Sequence, residues 1–285
     1  MAGGAGGVGS SLAFSLLLRP EPFDVVVIDR RPEKVASHVM DLEQVLGLGG
    51  TASVAAGAWE ELDGVDVLVV CAATALTANT SREVYLEANS AIVDGIAARL
   101  DGWGGVVVMV TNPVDPLTAR LARALGDRRR VVGYTLNDTL RLRTAIAASF
   151  GVPASAVEAW VLGEHGDRAV PIFSRVRVHG EPVTLSAERQ AEAAGFVRTW
   201  YRRHVALDAN RSSTWTSGAG VAALVAAIVA GTVGPWVVST LLDGEYGISG
   251  ASVGVPVVLK PGGVERVLEW PLTDAELAAL RYAAR

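Results

Sequence analysis

Cysteine is almost absent from the chain, because its 285 residues include only Cys71. A single cysteine excludes an internal disulfide framework and is typical of proteins that fold in a reducing compartment, so we expect a cytoplasmic protein. The chain also lacks a basic segment followed by an apolar stretch at its beginning, and we therefore expect no secretory signal peptide.

Positive charge is in deficit, with 25 lysines and arginines against 30 aspartates and glutamates. This balance argues against a nucleic-acid partner, and we interpret the densest basic run, Arg128–Arg130, as a solvated corner. Charge is absent throughout residues 212–242, but Gly231, Gly234 and Pro235 interrupt that segment. We therefore predict a buried or subunit-interface helix followed by a strand, and no membrane span.

The first half of the chain alternates short apolar segments with helical ones. The predicted strands cover residues 24–29, 52–56, 65–71 and 106–110, and the predicted helices cover 33–46, 82–100 and 113–125. Alternation of this kind predicts an α/β fold, with a Rossmann-type doubly wound parallel sheet over residues 1–133.

The second half has a different pattern. Helices are predicted at 138–150, 187–207, 213–230 and from 273, a strand at 157–162, and short strands with glycine-rich turns up to Lys260. Residues 174–185 alternate as in an antiparallel hairpin around His179 and Gly180. We expect a second, α+β domain over residues 134–285, which shares an interface with the first.

A glycine pattern opens the chain, but the strand that should lead into it is largely missing. The G-x-G-x-x-G spacing holds a dinucleotide pyrophosphate at the start of a helix, and the candidate residues are Gly4, Gly6, Gly7, Val8 and Gly9. Only residues 1–3 precede them. We expect either a true start about five residues upstream or a locally shortened sheet with weaker NAD binding.

An acidic residue follows the glycine pattern at a meaningful distance. Asp29 ends the DVVVID strand about 20 residues after Gly9, where a carboxylate accepts hydrogen bonds from the adenosine ribose hydroxyls. Such a carboxylate repels a 2′-phosphate, so NAD is the predicted cofactor. Arg30 and Arg31 keep NADP open, since guanidinium groups there would accommodate a phosphate. In the plainer alternative, Asp29 merely ends a strand.

Four short segments carry side chains suited to catalysis. They are TNP at 111–113, NDTLR at 137–141, GEHGD at 163–167 and SRE at 81–83. Asp138 and Arg141 are three residues apart on a predicted helix, so they share a face. Taken singly, each residue has a plainer role: His165 would be structural, and Asp138 would be a helix N-cap.

Together these segments resemble the L-lactate/malate dehydrogenase family, and the similarity covers nearly the whole chain. GAGGVGSSLA, DVVVID, TNPVD, NDTLR and GEHGD occur in the order and approximate spacing of that family. The resemblance implies a homodimer or homotetramer and, for residues 134–285, a catalytic and substrate-binding domain. It also implies NAD-dependent interconversion of a small 2-oxo acid and an L-2-hydroxy acid, with hydride transfer and no metal.

The resemblance also implies a role for each candidate residue. His165 would exchange a proton with the substrate carbonyl oxygen, Asp138 would fix the histidine tautomer, and Arg82 would polarise that oxygen. Arg141 would bind the substrate carboxylate through two parallel hydrogen bonds. Other side chains would line the pocket: Asn112 beside substrate or nicotinamide, and Ser213, which aligns only loosely with a hydroxyl residue of the family.

The loop before Arg82 departs from the family pattern. Leu76 occupies the position where lactate dehydrogenases carry glutamine and malate dehydrogenases carry arginine, and a shift of one residue would place Thr77 or Ala75 there. None of these residues is charged, so the second carboxylate of malate would be buried unpaired. We therefore expect a substrate whose side chain is apolar or atypical. Ala and Asn at 78–79 replace the usual Pro-Gly and would alter loop closure.

Two alternatives remain open at the level of sequence. One is an imine or specialised-metabolite reductase on the same scaffold. The other is a non-catalytic NAD-binding subunit, which the missing strand and the altered loop would suit. The helix near 33–46 and the uncharged helix after Ser212 are candidate surfaces for assembly.

Overall fold

The computed structural model describes residues 1–49, 51–74, 82–209, 211–232 and 234–285, except for the side chains at 82 and 83. The first half contains α1 (Gly7–Leu17), β1 (Asp24–Val27), α2 (Pro32–Val45), β2 (Ser53–Ala56), β3 (Val67–Val70), α3 (Arg82–Ala97), β4 (Val106–Met109), α4 (Val114–Leu125) and β5 (Val131–Tyr134).

The second half contains α5 (Leu136–Phe150), β6 (Val157–Glu158), β7 (Val161–Gly163), β8 (Ala169–Pro171), β9 (Arg177–Val178), β10 (Glu181–Pro182), α6 (Ala187–Ala206), α7 (Thr214–Ala230), β11 (Trp236–Asp243), β12 (Ser249–Lys260), β13 (Gly263–Val267) and α8 (Asp274–Ala283).

The first half forms the predicted parallel sheet. β1 pairs in parallel with β2, and β3, β4 and β5 pair in parallel in that order. Between β1 and β3 lies a single residue of strand, because Ala2 bridges both Ile28 and Val70. Backbone hydrogen bonds close the gap on each side, from Ile28 N to Met1 O and from Cys71 N to Ala2 O, both 2.9 Å long. The strand that leads into the glycine turn is therefore short but paired on both edges.

The main sheet continues into the second half of the chain. β5 pairs antiparallel with β11, in the register of Tyr134 with Val238, and the sheet extends through β12 to β7 and β8. The prediction of short strands up to Lys260 was wrong, because β12 runs for 12 residues with a mostly buried pattern. Its valines pack in the core that α1 and α7 cover, which favours one long strand.

The predicted strand at 157–162 is split between two sheets. β6 pairs with β9 in a small three-stranded sheet, whereas β7 pairs with β12 and β8. Trp160, between the two strands, accepts a hydrogen bond from Ile172 N at 2.9 Å, so the backbone crosses from one sheet to the other at this point. The predicted hairpin between β9 and β10 is confirmed, with positive φ at His179 and Gly180.

The uncharged helix α7 is buried against α1. Leu12 and Ala13 of α1 and Val221 of α7 are fully buried in one core cluster. Gly218 permits the close approach, because a Cβ at this position would lie 2.2 Å from Ser11 Oγ. Within the described parts of the chain, no helix has the length and apolar character needed to cross a membrane.

Candidate active site

The glycine turn joins the short first strand to α1 and presents backbone to its surroundings. Gly6 is the N-cap of α1, with no side-chain cap and no acidic residue in the first turn of the helix. A Cβ at Gly9 would lie 2.6 Å from Gly4 Cα, so only glycine permits the helix to begin this close to the strand. An uncapped helix N-terminus attracts an anion through its N–H groups and its dipole. These residues fit the pyrophosphate of a dinucleotide.

Asp29 lies directly beside this turn. Its Oδ2 accepts a hydrogen bond from Ala5 N at 3.3 Å, and its Oδ1 accepts one from Arg31 N at 3.4 Å. The carboxylate is therefore held by backbone at the end of β1, next to the glycines. Its position fits a partner for ribose hydroxyls, while Arg30 and Arg31 are exposed nearby.

A compact cluster of charged side chains forms between α5 and the loop after β7. Asp138 Oδ2 lies 2.6 Å from His165 Nδ1, and Asp138 Oδ1 accepts a hydrogen bond from Arg141 Nη1 at 2.7 Å. Asp138 thus bridges the histidine and the arginine. It lies inside the first turn of α5, whose N-cap is Thr135, so the N-cap interpretation of Asp138 was wrong.

The opposite charges in this cluster stabilise one another and shift the pKa values of Asp138 and His165. Burial alone would raise the pKa of Asp138, but His165 and Arg141 outweigh burial and hold that pKa below its ordinary value. Burial alone would lower the pKa of His165, but the carboxylates of Asp138 and Asp115 raise it above its ordinary value. The arrangement therefore favours an imidazolium paired with a carboxylate.

Asp115 is a fourth member of the cluster that sequence reasoning did not single out. It is buried in the first turn of α4, and its Oδ2 accepts a hydrogen bond from His165 N at 2.8 Å. Burial raises its pKa to about 6, although contacts with Ser239 and His165 act in the opposite direction. The signal in the sequence was an acidic residue within an otherwise apolar helix start.

Asn89, on α3, joins two loops at the edge of the sheet. Its Oδ1 accepts a hydrogen bond from Thr74 N at 2.8 Å, and its Nδ2 donates to Asn112 O at 2.7 Å. Asn89 is buried, whereas the side chain of Asn112 is exposed at the end of β4. The backbone of Asn112 is therefore fixed while its amide group remains accessible. Sequence reasoning named Asn112 and missed Asn89.

A buried hydrogen-bond chain connects the start of α5 with the start of α7. Tyr134 Oη donates to Asn137 Oδ1 at 2.8 Å, and Asn137 Nδ2 donates to Ser217 Oγ at 2.9 Å. Ser217 Oγ in turn donates to the carbonyl of Ser213 at 2.5 Å. Ser213, the N-cap of α7, is thus held relative to the helix that carries Asp138 and Arg141.

Trp200, on α6, contacts the same arginine. Arg141 Cζ lies 4.2 Å from the centroid of the indole, which is partly buried. Trp200 was absent from the sequence prediction, because α6 carries no motif. Only the packing of α6 on α5 reveals the contact.

Two predicted site residues are not covered by the structure. Leu76 lies outside the described residues, together with the rest of 75–81, and the side chain of Arg82 is also outside them although α3 begins at that residue. Across the described ranges, no group of three or more histidine, cysteine, aspartate or glutamate residues could hold a metal ion.

The fold and the site together define a class of protein. A glycine turn with an adjacent carboxylate lies on the parallel half of the sheet, and a histidine and an arginine that both contact Asp138 lie between α5 and the loop after β7. This combination is that of an NAD-dependent oxidoreductase.

Comparison with known proteins identifies the family. Residues 1–133 match the lactate/malate dehydrogenase NAD-binding domain, and residues 135–285 match the lactate/malate dehydrogenase alpha/beta C-terminal domain. The chain therefore belongs to the lactate/malate dehydrogenase family. It is an NAD-dependent hydroxy-acid dehydrogenase, as expected from the sequence.

Individual relatives cover almost the whole chain. L-lactate dehydrogenase 1 of Staphylococcus aureus strain JH9 is 31% identical over 292 residues, which cover 99% of this chain and 92% of the relative. The malate dehydrogenase from Aeropyrum pernix has a TM-score of 0.90 at 30% identity, covering 98% and 93% of the two chains. The minor L-lactate dehydrogenase from Enterococcus mundtii has a TM-score of 0.90 at 27% identity, covering 98% and 92%. Both lactate and malate enzymes are thus among the similar proteins.

Proposed function

We propose that His165 and Asp138 form the proton relay of an L-2-hydroxy-acid dehydrogenase. The supporting observation is the 2.6 Å contact between His165 Nδ1 and Asp138 Oδ2. This contact places the Nδ1 proton toward Asp138, which leaves Nε2 to give a proton to the carbonyl oxygen during reduction and to remove it during oxidation. NADH supplies the hydride that the C2 carbon receives.

Arg141 is the proposed binding residue for the substrate carboxylate. Asp138 takes one donor of Nη1, and the remaining in-plane N–H groups of the guanidinium match the two oxygens of a carboxylate. Asn112 and Ser213 are proposed to line the same pocket, and Arg82 to polarise the carbonyl oxygen from the start of α3. Gly4, Gly6, Gly7, Val8 and Gly9 with Asp29 are the proposed residues that hold NAD.

The proposed substrate has an apolar or atypical side chain. Leu76, or its uncharged neighbour in either register, offers no cation to a second carboxylate, and burying that carboxylate unpaired costs several kcal/mol. Malate and oxaloacetate are therefore disfavoured as substrates. An apolar side chain would carry no such cost.

A substrate panel tests this proposal. The purified enzyme is assayed with NADH and NADPH against pyruvate, 2-oxoisocaproate, phenylpyruvate and oxaloacetate, with and without ammonium. We expect reduction of an apolar monocarboxylate with NADH, and we expect Leu76→Arg to shift activity toward oxaloacetate. Rapid reduction of oxaloacetate by the unmodified enzyme would contradict the assignment, and activity that requires ammonium would indicate imine reduction.

We also propose that the chain assembles as a homodimer or homotetramer. Exposed apolar side chains lie on α1, α2 and α7 or beside them, and they include Met40 at 68%, Leu48 at 81% and Trp215 at 67% exposure. Burial of such side chains between copies would remove apolar area from water. Light scattering coupled to size-exclusion chromatography measures the assembly, and a monomer at micromolar concentration would contradict the proposal.

A further inference from the structure

The surroundings of Arg141 contain an aromatic group that the reaction does not use. Trp200 lies with its ring centroid 4.2 Å from Arg141 Cζ. His204, one turn later on α6, stacks on the same indole with centroids 4.9 Å apart and an interplanar angle of 13°. His204 Nε2 also lies 3.1 Å from Arg211 O, in the segment that leads to α7. The indole is therefore held from its own helix while it contacts the arginine.

An indole over a guanidinium differs from a hydrogen-bonding neighbour. It interacts with the face of the planar cation and uses none of the N–H donors, which point outward in the plane. Asp138 meets one edge of the guanidinium through Nη1. Trp200 and Asp138 thus act in different directions, and together they restrict the rotation of the plane while other in-plane donors stay directed to a ligand.

We propose that Trp200 is a positioning residue for substrate binding, which fixes the plane of the Arg141 guanidinium so that it binds the carboxylate of a 2-oxo acid. This inference rests on the proposed role of Arg141. The indole also removes water from one face of the cation, which strengthens its hydrogen bonds to a carboxylate. Trp200 therefore controls the affinity for the acid group, and it leaves the hydride and proton steps to other residues.

Substitution of Trp200 separates this role from a general structural one. Trp200→Leu keeps an apolar side chain without an aromatic face, and Trp200→Phe keeps a smaller face. We expect Trp200→Leu to raise KM for the best 2-oxo acid and the Kd for oxamate, an unreactive carboxylate, by roughly tenfold. We expect kcat to change by less than about threefold, and Trp200→Phe to recover most of the affinity.

Tyr201 provides a matched control on the same helix, because its side chain is exposed. Tyr201→Leu is expected to leave KM, the oxamate Kd and the NADH Kd unchanged. An equal loss of kcat and NADH affinity in Trp200→Leu and Trp200→Phe, with a lowered Tm in both, would overturn the proposal in favour of a packing role.

A double-mutant cycle with Arg141→Lys gives the decisive measurement. Lysine has no planar face for the indole to orient, so the effect of Trp200→Leu should vanish in that background. An additive effect would show that Trp200 acts independently of Arg141 and would refute the inference. Binding of oxamate to the NADH complex is measured by calorimetry, so coupling is scored even if the enzyme reduces no 2-oxo acid. A lack of 2-oxo acid reduction would contradict the proposed function, but it would leave the inference about Trp200 to be decided by the binding measurement.

Discussion

The proposed cofactor region and the proposed catalytic region of this enzyme differ in the kind of group that each presents. At Gly4 to Gly9 the groups proposed to bind the cofactor are backbone groups, and the packing leaves little room for side chains, because a Cβ at Gly9 would lie 2.6 Å from Gly4 Cα. Around Asp138 the groups are buried charged side chains, and the pKa values of Asp138 and His165 are shifted by their charged neighbours. A substitution in the first region should change binding alone, whereas one in the second should change turnover and its pH dependence.

The largest expected effect comes from removing the proposed proton donor, His165. His165→Asn keeps a polar side chain of similar size but cannot protonate the carbonyl oxygen, so we expect kcat to fall by about a thousandfold. NADH binding, measured by quenching of tryptophan fluorescence, should change by less than about twofold. Unchanged turnover in this variant would show that another group moves the proton.

Asp138→Asn should both slow the reaction and move its pH dependence. Asp138 raises the pKa of His165, so a neutral amide lowers that pKa. Reduction needs the protonated imidazole, which is lost as pH rises through its pKa. The alkaline limb of kcat/KM for reduction should therefore move to lower pH, with a loss of about a hundredfold at pH 7. A limb that stays in place would separate His165 from the proton transfer.

Most of the fold followed from the sequence, because its signals are local. The apolar runs of β3 and β4, the glycine turn and the helix that pairs Asp138 with Arg141 are contained in short segments. The length of β12 and the division of the strand at 157–162 were not predictable in this way. Both depend on which sheet a distant segment joins, and no local pattern records that choice.

The candidate site was predictable only where a motif carries it. Asp115, Asn89 and Trp200 each contact a predicted site residue that is distant in the sequence, respectively His165, Asn112 and Arg141. In the sequence, an isolated aspartate, asparagine or tryptophan carries no pattern that marks it as part of a site. Their partners become visible only when the helices that carry them are packed together.

Asp115→Asn should change how stability depends on pH. The folded state raises the pKa of Asp115 from an ordinary value near 3.8 to about 6, so the protonated carboxyl is favoured by folding. Its contribution is fully present below the unfolded pKa and is lost as pH rises through the folded pKa. Asparagine does not titrate. The difference in the free energy of unfolding, variant minus unmodified enzyme, should therefore increase by up to about 3 kcal/mol as the pH is raised from 4 to 7.

Chemical denaturation across that pH range measures the difference in the free energy of unfolding between the unmodified enzyme and Asp115→Asn. As the control, the same comparison is made between His165→Asn and the double variant that also carries Asp115→Asn. The control removes the coupling between Asp115 and the imidazole, which also titrates there. A constant difference between the two proteins in this background would mean that folding does not raise the pKa of Asp115, and it would contradict the prediction.

The smallest expected effect lies in the cofactor region. Asp29→Asn keeps an oxygen that can accept the hydrogen bond from Ala5 N, so the turn should remain intact. The variant loses the charge that we propose to bind the ribose hydroxyls and to repel a 2′-phosphate, and hydrogen bonds to a charged group contribute about 1.5–3 kcal/mol. The Kd for NADH should therefore rise by roughly tenfold, and the preference over NADPH should shrink, since Arg30 and Arg31 are exposed beside the site. At saturating NADH, kcat and its pH dependence should match those of the unmodified enzyme. A shifted pH profile would show that the two regions are coupled through the sheet, and the division between a backbone-built and a side-chain-built site would then fail.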